Sequence, residues 1–202
     1  MDRPTRQESK ERQSNAMRIV GGKFKGRPII APKGQGTRPT GDRARESLFN
    51  ILAHADWAPP LDDARVIDLF AGSGALGFEA MSRGAGFCLF VETDHNARGA
   101  IRDNIESLEL FGSTRLHRRS ATDLGDKPAN VAAPFSIAFL DPPYNREMVI
   151  PALKNLREGQ WLNNDAIAMV ETARDEMIEP EGWDLIDTRI YGAAKVSFYR
   201  VG

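Results

Sequence analysis

Cysteine is almost absent. Cys88 is the only one among 202 residues, which excludes a disulfide framework, a cysteine-rich zinc or iron–sulfur site, and the three-cysteine cluster of a radical enzyme. Long apolar runs are absent too: none approaches the roughly 20 residues of a membrane span. The opening MDRPTRQESKERQSNA has no apolar core, so no secretory signal is expected. Net charge is nearly nil, at −1. No internal repeat or low-complexity tract is present. Hydrophobic residues at 41% and charged residues at 27% describe a soluble globular chain, large enough to need no metal or disulfide staple. A reducing cytoplasm is its simplest home.

The small net charge hides an asymmetry. Residues 1–54 carry 12 Lys+Arg against 5 Asp+Glu, and the remainder carries 15 against 23. A basic N-terminal third on a mildly acidic body suits a polyanion partner; it equally suits a solvated arm. Residues 1–16 are polar and aperiodic and are expected to be disordered. A single domain is expected over 17–202: a hairpin and loop over 17–41, then a Rossmann-like core over 42–202. Within the hairpin, Arg18–Gly22 and Arg27–Ile30 predict two short strands around a Gly/Lys turn. Asp42 is expected to cap a helix with Ala44, Leu48, Ile51 and Leu52 on one face.

From Arg65 onward, strands and helices alternate. Val66–Phe70, Phe87–Val91 and Phe135–Leu140 are near-continuous apolar runs, as expected of strands buried on both faces. Residues 114–117 predict a weaker strand. Helices are expected over 75–82, 95–110 and 146–157. Residues 166–170, 183–191 and 196–201 predict three more strands, the last two joined by a hairpin at Gly192–Lys195. The expected fold is α/β: a mostly parallel seven-stranded sheet with an antiparallel C-terminal hairpin and helices on both faces.

Two motifs carry chemistry. In Asp68-Leu69-Phe70-Ala71-Gly72-Ser73-Gly74-Ala75-Leu76-Gly77, glycines at a strand-to-helix turn let a ligand approach the backbone. An acid, Glu92, follows the next strand, 20 residues after Gly72, where a carboxylate can accept hydrogen bonds from ribose hydroxyls. This suits NAD as well as S-adenosylmethionine. The second motif, Asp141-Pro142-Pro143-Tyr144, directly follows a buried strand. Its prolines stiffen the loop. The Asp141 carboxylate and Pro142 carbonyl can accept both hydrogens of an exocyclic amino group, and Tyr144 offers a ring for base stacking. Cys88 lies within an apolar strand and reads as a buried, inert thiol, which argues against pyrimidine C5 methylation. His54, His95 and His117 read as structural or surface residues, and Trp57, Trp161 and Trp183 as packing.

Together these motifs resemble the amino-group methyltransferases that use S-adenosylmethionine. Met17–Gly22, Thr37-Arg38-Pro39-Thr40, Arg43-Ala44-Arg45-Glu46-Ser47-Leu48-Phe49-Asn50 and Asp68–Gly77 resemble one bacterial family more closely, the 16S rRNA guanine-N2 methyltransferases (RsmD-like). The segment 37–50 is the most specific part. The resemblance implies a Rossmann-like enzyme with S-adenosylmethionine as cofactor and 16S rRNA, in a small-subunit particle, as partner. It implies cofactor contacts from Asp68, Phe70, Ala71, Gly72, Ser73 and Gly74, with Glu92 and Thr93 at the ribose. Ser120-Ala121 stands where the family often has Asp-Ala against the adenine, leaving Ser120 or Asp123 to supply that contact. Arg38, Thr40 and Phe49 are expected to close over the cofactor, and Asp141 to serve both cofactor and acceptor. Phosphate contacts are expected from Arg18, Lys23, Lys25, Arg27 and Lys33, and no metal is expected. The alternative acceptors are DNA adenine and a protein glutamine amide, whose enzymes more often carry Asn at the position of Asp141.

Overall fold

The computed structural model describes residues 17–32 and 41–202. Residues 1–16, Lys33, Arg38 and Thr40 lie outside the described residues, and so do the expectations attached to them. The elements run α1 (Asp42–His54), β1 (Arg65–Leu69), α2 (Ala75–Ser82), β2 (Phe87–Val91), α3 (His95–Ser107), β3 (Thr114–His117), β4 (Phe135–Leu140), α4 (Val149–Glu158), β5 (Leu162–Ala173), β6 (Trp183–Tyr191) and β7 (Ala194–Val201). The seven strands form one sheet in the order β3-β2-β1-β4-β5-β7-β6. Pairings from β3 through β5 are parallel, whereas β7 runs antiparallel to both β5 and β6. This is the expected architecture. The strand order reverses at β1, between β2 and β4, and open α/β sheets bind ligands beyond the carboxyl ends of their strands at such a point.

Strand alternation divides the core. Val66, Cys88, Phe90, Ile137, Phe139, Ile167 and Met169 face one side, packed with Leu48, Phe49, Phe78 and Ile101 of the helices. Ile67, Leu69, Leu89, Ala138, Leu140, Ala168 and Val170 face the other, against Leu153 and Leu156 of α4 and against Trp161. The period of two along each strand is the geometric cause. Cys88 is fully buried, and burial pushes its thiol well above the usual range, as its apolar setting predicts. Trp161 and Trp183 are buried, and Trp57 packs on Phe198 at 5.1 Å between ring centroids. Among the described residues no helix is long and apolar enough to cross a membrane.

Several boundaries differ from the sequence expectation. Asp42 does not cap α1. Gly41 is the N-cap, and the Asp42 carboxylate instead accepts from the guanidinium groups of Arg18 and Arg45, at 2.8 and 3.0 Å. Helix α4 starts three residues late because Asn145 and Glu147 are left-handed, with φ of 55° and 53°. Strand β5 begins at Leu162, four residues before its apolar run, because Leu162 pairs with Phe135 ahead of a register shift. Asn163, Asn164 and Asp165 are polar and exposed there, and so hide the strand.

The N-terminal hairpin is reduced to a single bridge, Arg18 to Pro28. Two backbone bonds flank it, from the Ile19 N–H to the Arg27 carbonyl at 3.0 Å and from the Ile29 N–H to the Met17 carbonyl at 2.8 Å, and left-handed Gly22 and Gly26 bound the turn between them. The segment is instead a strap clamped by side chains of α2 and α3. Glu79 accepts from the Val20 N–H at 2.8 Å, and Ser82 Oγ accepts from the Phe24 N–H at 2.9 Å. Asn104 accepts from the Ile30 N–H (2.8 Å) and donates to the Ile30 carbonyl (3.0 Å). A Cβ on Gly22 would lie 1.9 Å from the Ser82 carbonyl oxygen, and φ there is +73°; only glycine permits that approach.

Beneath the strap lies a buried charge cluster. Glu79 is fully buried and meets Arg83 at 2.7 Å and Arg45 at 3.8 Å. Arg45 is 2% exposed. Burial lowers its guanidinium pKa, and the charges of Glu79 and Asp42 oppose that shift. The specific segment 43–50 is therefore largely structural. Arg45 donates to the Arg18 carbonyl, Asn50 accepts from Arg83, and Ser47 Oγ lies 2.9 Å from the Tyr191 hydroxyl.

Candidate active site

Beyond Leu69 the chain reverses through a run of left-handed residues: Phe70 (φ 59°), Gly72 (54°) and Gly74 (80°). At Gly74 a Cβ would meet the Phe78 ring at 2.6 Å, so the turn requires glycine there. The result bares backbone N–H groups at the start of α2, where a ligand can come close. Val91 pairs with Leu69, so the next residue, Glu92, stands beside this loop. One Glu92 oxygen accepts from the Gly72 N–H and the other from the Asp94 N–H, both at 2.8 Å. These bonds fix the carboxylate while each oxygen keeps lone-pair capacity for a vicinal diol. Asp94 caps α3 by accepting from the Ala97 N–H at 2.8 Å.

Asp68 is 2% exposed and accepts from the Gly77 N–H at 3.0 Å. Burial pushes its carboxyl well above the usual range, and the nearby charges of Asp141 and Glu92 push it the same way. Ala71 is buried and donates to the Val91 carbonyl at 3.2 Å. The Ser73 hydroxyl donates to Met17 Sδ at 3.3 Å, and its carbonyl accepts from Asn104 at 3.1 Å. Both ends of the strap thus meet the glycine loop. Thr93 is exposed, with its carbonyl held by Arg98. Ser120 Oγ is engaged with Thr122 at 2.8 Å, whereas Asp123 is exposed nearby and Ala121 is buried.

Phe49 is a correction to the expectation. It is fully buried, 5.6 Å from the Phe139 ring, with the Arg83 guanidinium 5.4 Å from its own centroid. Its ring has no exposed face to offer a ligand, because the apolar spacing of α1 turns it into the core.

Leu69 pairs with Leu140, so Asp141 begins the loop one strand away from the glycine turn. Asp141 is exposed and Pro142 is buried. Pro143 is exposed and Tyr144 half-buried, and the Tyr144 hydroxyl donates to Glu171 at 2.6 Å. Beside them opens a cavity of about 760 Å³, lined among others by Tyr144, Glu171, Tyr191, Ala44 and Gly41. A separate groove of about 590 Å³ lies between α1 and β6, with Arg43, Ser47 and Arg189 on its walls. Glu171 escaped the sequence reading. Its signal was present: like Glu92 and Asp141, it is an acid directly after an apolar strand run. Asn104, Glu79 and Ser82 gave no comparable signal.

The expected RNA cations divide. Arg18 is paired with Asp42 yet 63% exposed, and its strand-mate segment reaches the glycine loop. Lys23, Lys25 and Arg27 lie at the far end. The Lys23 N–H bonds to the last residue of α2, Ser82, at 2.7 Å. Arg27 donates to the carbonyl of Ser107, the last residue of α3, at 2.6 Å. Eight helical residues separate this end from the glycine turn by roughly 12 Å. Lys23 lies over Phe24, 4.8 Å from its centroid.

Comparison with known proteins bears on this geometry. The family model described as Conserved hypothetical protein 95 matches residues 17–200. A Haemophilus influenzae protein named ribosomal RNA small subunit methyltransferase D is 34% identical over 91% of the chain and 93% of its own length. The Escherichia coli protein of the same name is 33% identical over 93% of the chain and 91% of its own. A solved Escherichia coli structure described as a methyltransferase, yhhF, superposes with a TM-score of 0.75 at 33% identity, covering 93% of this chain and 98% of its own. The chain belongs to the Conserved hypothetical protein 95 family, that of the RsmD-type ribosomal RNA methyltransferases.

Proposed function

We propose that the enzyme transfers a methyl group from S-adenosylmethionine to the exocyclic N2 amino group of a guanine in 16S rRNA, presented in a small-subunit particle. The observation that carries this reading is the placement of Asp141-Pro142-Pro143-Tyr144 at the carboxyl end of β4, one strand from the glycine turn that ends β1. Donor and acceptor halves are thereby adjacent.

The cofactor's residues fit the group. Gly72 leaves room at the backbone, where an added Cβ would find only the Phe70 carbonyl oxygen, 3.9 Å away; Glu92 presents two oriented oxygens for the ribose hydroxyls, and Asp123 is available to an adenine amino group. When bound, S-adenosylmethionine supplies an electrophilic methyl on a sulfonium. The protein's own work is on the acceptor. The N2 lone pair of guanine is delocalised into the ring and is a poor nucleophile. Asp141 and the Pro142 carbonyl accept the two amino hydrogens, which localises that pair and aims it. Tyr144 stacks on the base, and its link to Glu171 fixes the ring. The amine becomes acidic as the new bond forms, and the Asp141 carboxylate then takes its proton. Catalysis is positioning and electrostatics, with no strong base required beforehand.

For RNA, Arg18 is nearest the site, while Lys23, Lys25 and Arg27 serve a polyanion that follows the strap face. The test is transfer from labelled S-adenosylmethionine to naked 16S rRNA, to small subunits and to duplex DNA, with nucleoside mass analysis. N2-methylguanosine from rRNA or subunits is expected; methyladenine from DNA would overturn the acceptor.

A further inference from the structure

We infer that Glu171 selects guanine by accepting the base's N1–H while Asp141 holds its N2 amino group; the inference rests on the proposed guanine-N2 transfer. Leu140 pairs with Val170, so Asp141 and Glu171 are neighbours across adjacent strands at the same edge, about 5 Å apart along the sheet. Alternation gives them the same face: Phe139 and Met169, two residues earlier, both pack toward α1 and α2. Glu171 is 6% exposed, yet it lines the cavity beside the Asp-Pro-Pro-Tyr loop. Its carboxylate accepts from the Tyr144 hydroxyl. A carboxylate has about four acceptor positions and no donor, so more than one hydrogen bond can end there.

The Watson–Crick edge of guanine is unusual in presenting donors at two adjacent positions, N1–H and N2–H₂. Two neighbouring carboxylates match that pattern. Adenine and cytosine each present a ring-nitrogen lone pair next to their amino group, and that lone pair would face the Glu171 carboxylate. A site built around a hydrogen bond rejects an analogue lacking it far more strongly than one lacking only apolar contact. Tyr144 then has two tasks through one hydroxyl: its ring carries the base, and its bond orients the residue that reads the base.

The test uses 16S rRNA carrying either guanosine or 2-aminopurine at the methylated position, assembled into small subunits. 2-Aminopurine keeps the N2 amino group and replaces N1–H by a lone pair. The wild-type enzyme should prefer guanosine by about 10-fold to 100-fold in kcat/KM, the span of one good base contact. Glu171→Gln offers an amide N–H to that lone pair, so the preference should fall to a few-fold. Tyr144→Phe keeps the carboxylate and removes only the bond from the Tyr144 hydroxyl; both substrates should slow while the preference survives. Cofactor binding by calorimetry should be unchanged in Glu171→Gln. A wild-type preference that Glu171→Gln leaves intact overturns the inference, as does an equal loss on both substrates in the two variants, which would mark Glu171 as support for Tyr144 alone. A wild-type enzyme that methylates neither base refutes the proposed function instead.

Discussion

Glu79 joins the strap to the buried charge cluster beneath it, and its removal has a calculable effect. The side chain is fully buried, holds Arg83 at 2.7 Å, lies 3.8 Å from Arg45 and accepts from the Val20 N–H at 2.8 Å. Breaking a buried ion pair by deleting one partner costs about 3–5 kcal/mol, because the other charge stays buried. An unsatisfied amide adds about 1–3 kcal/mol. Two features reduce the sum: Arg83 is 14% exposed and can reach water, and Arg45 keeps Asp42 at 3.0 Å. The expected cost of Glu79→Ala is therefore about 3–4 kcal/mol. For a chain near 200 residues each kcal/mol lowers Tm by about 2–4 °C, so calorimetry should register a fall of roughly 6–16 °C. The exposed pair Lys154–Glu158, 67% and 63% exposed and 3.9 Å apart, is the control; Lys154→Ala should cost under about 0.5 kcal/mol. The strap also meets Ser73 through Met17 and Asn104, so cofactor affinity should fall with stability in Glu79→Ala, and the Val20 amide should exchange faster. A Tm within 2 °C of wild type would refute the clamp.

Other perturbations have distinct signatures. Burial raises the Asp68 pKa above its unfolded value, so its contribution to stability is present at acidic pH and is lost as pH rises toward that raised value; Asp68→Asn, which keeps an acceptor for the Gly77 N–H, should flatten this decline and leave the apo protein at least as stable at pH 8 by thermal melts. Glu92→Ala removes the anchor of Gly72 and the two charge-assisted ribose contacts proposed for this carboxylate, and should weaken cofactor binding roughly 100-fold by calorimetry. A Lys23/Lys25/Arg27 triple alanine variant should make the log–log salt dependence of RNA binding shallower by about 2; an unchanged slope would mean the far end of the strap does not touch RNA.

The fold was legible where burial is two-sided. Val66–Leu69, Phe87–Val91 and Phe135–Leu140 are apolar because helices cover both faces, and β6 is found at its expected bounds. The glycine turn and Glu92 were legible because a sharp strand-to-helix reversal needs those residue types close together in sequence. The strap clamp was not legible. Glu79, Ser82 and Asn104 are polar residues inside helices, and their partners lie 58 to 74 residues away. Phe49 misled because an aromatic near a specific motif can serve packing as well as a ligand. The pairing of Tyr144 with Glu171 depends on the β4–β5 register, which the polar start of β5 conceals.

The most direct test of the account is made in cells. In a bacterial strain whose 16S rRNA lacks its small-subunit N2-methylguanosine, expression of this enzyme and mass analysis of digested 16S rRNA should show that nucleoside restored. Asp141→Ala, expressed to the same level, should restore less than about one hundredth as much at early times. Restoration by Asp141→Ala at the wild-type rate, or a methylated adenine in place of N2-methylguanosine, would contradict the account.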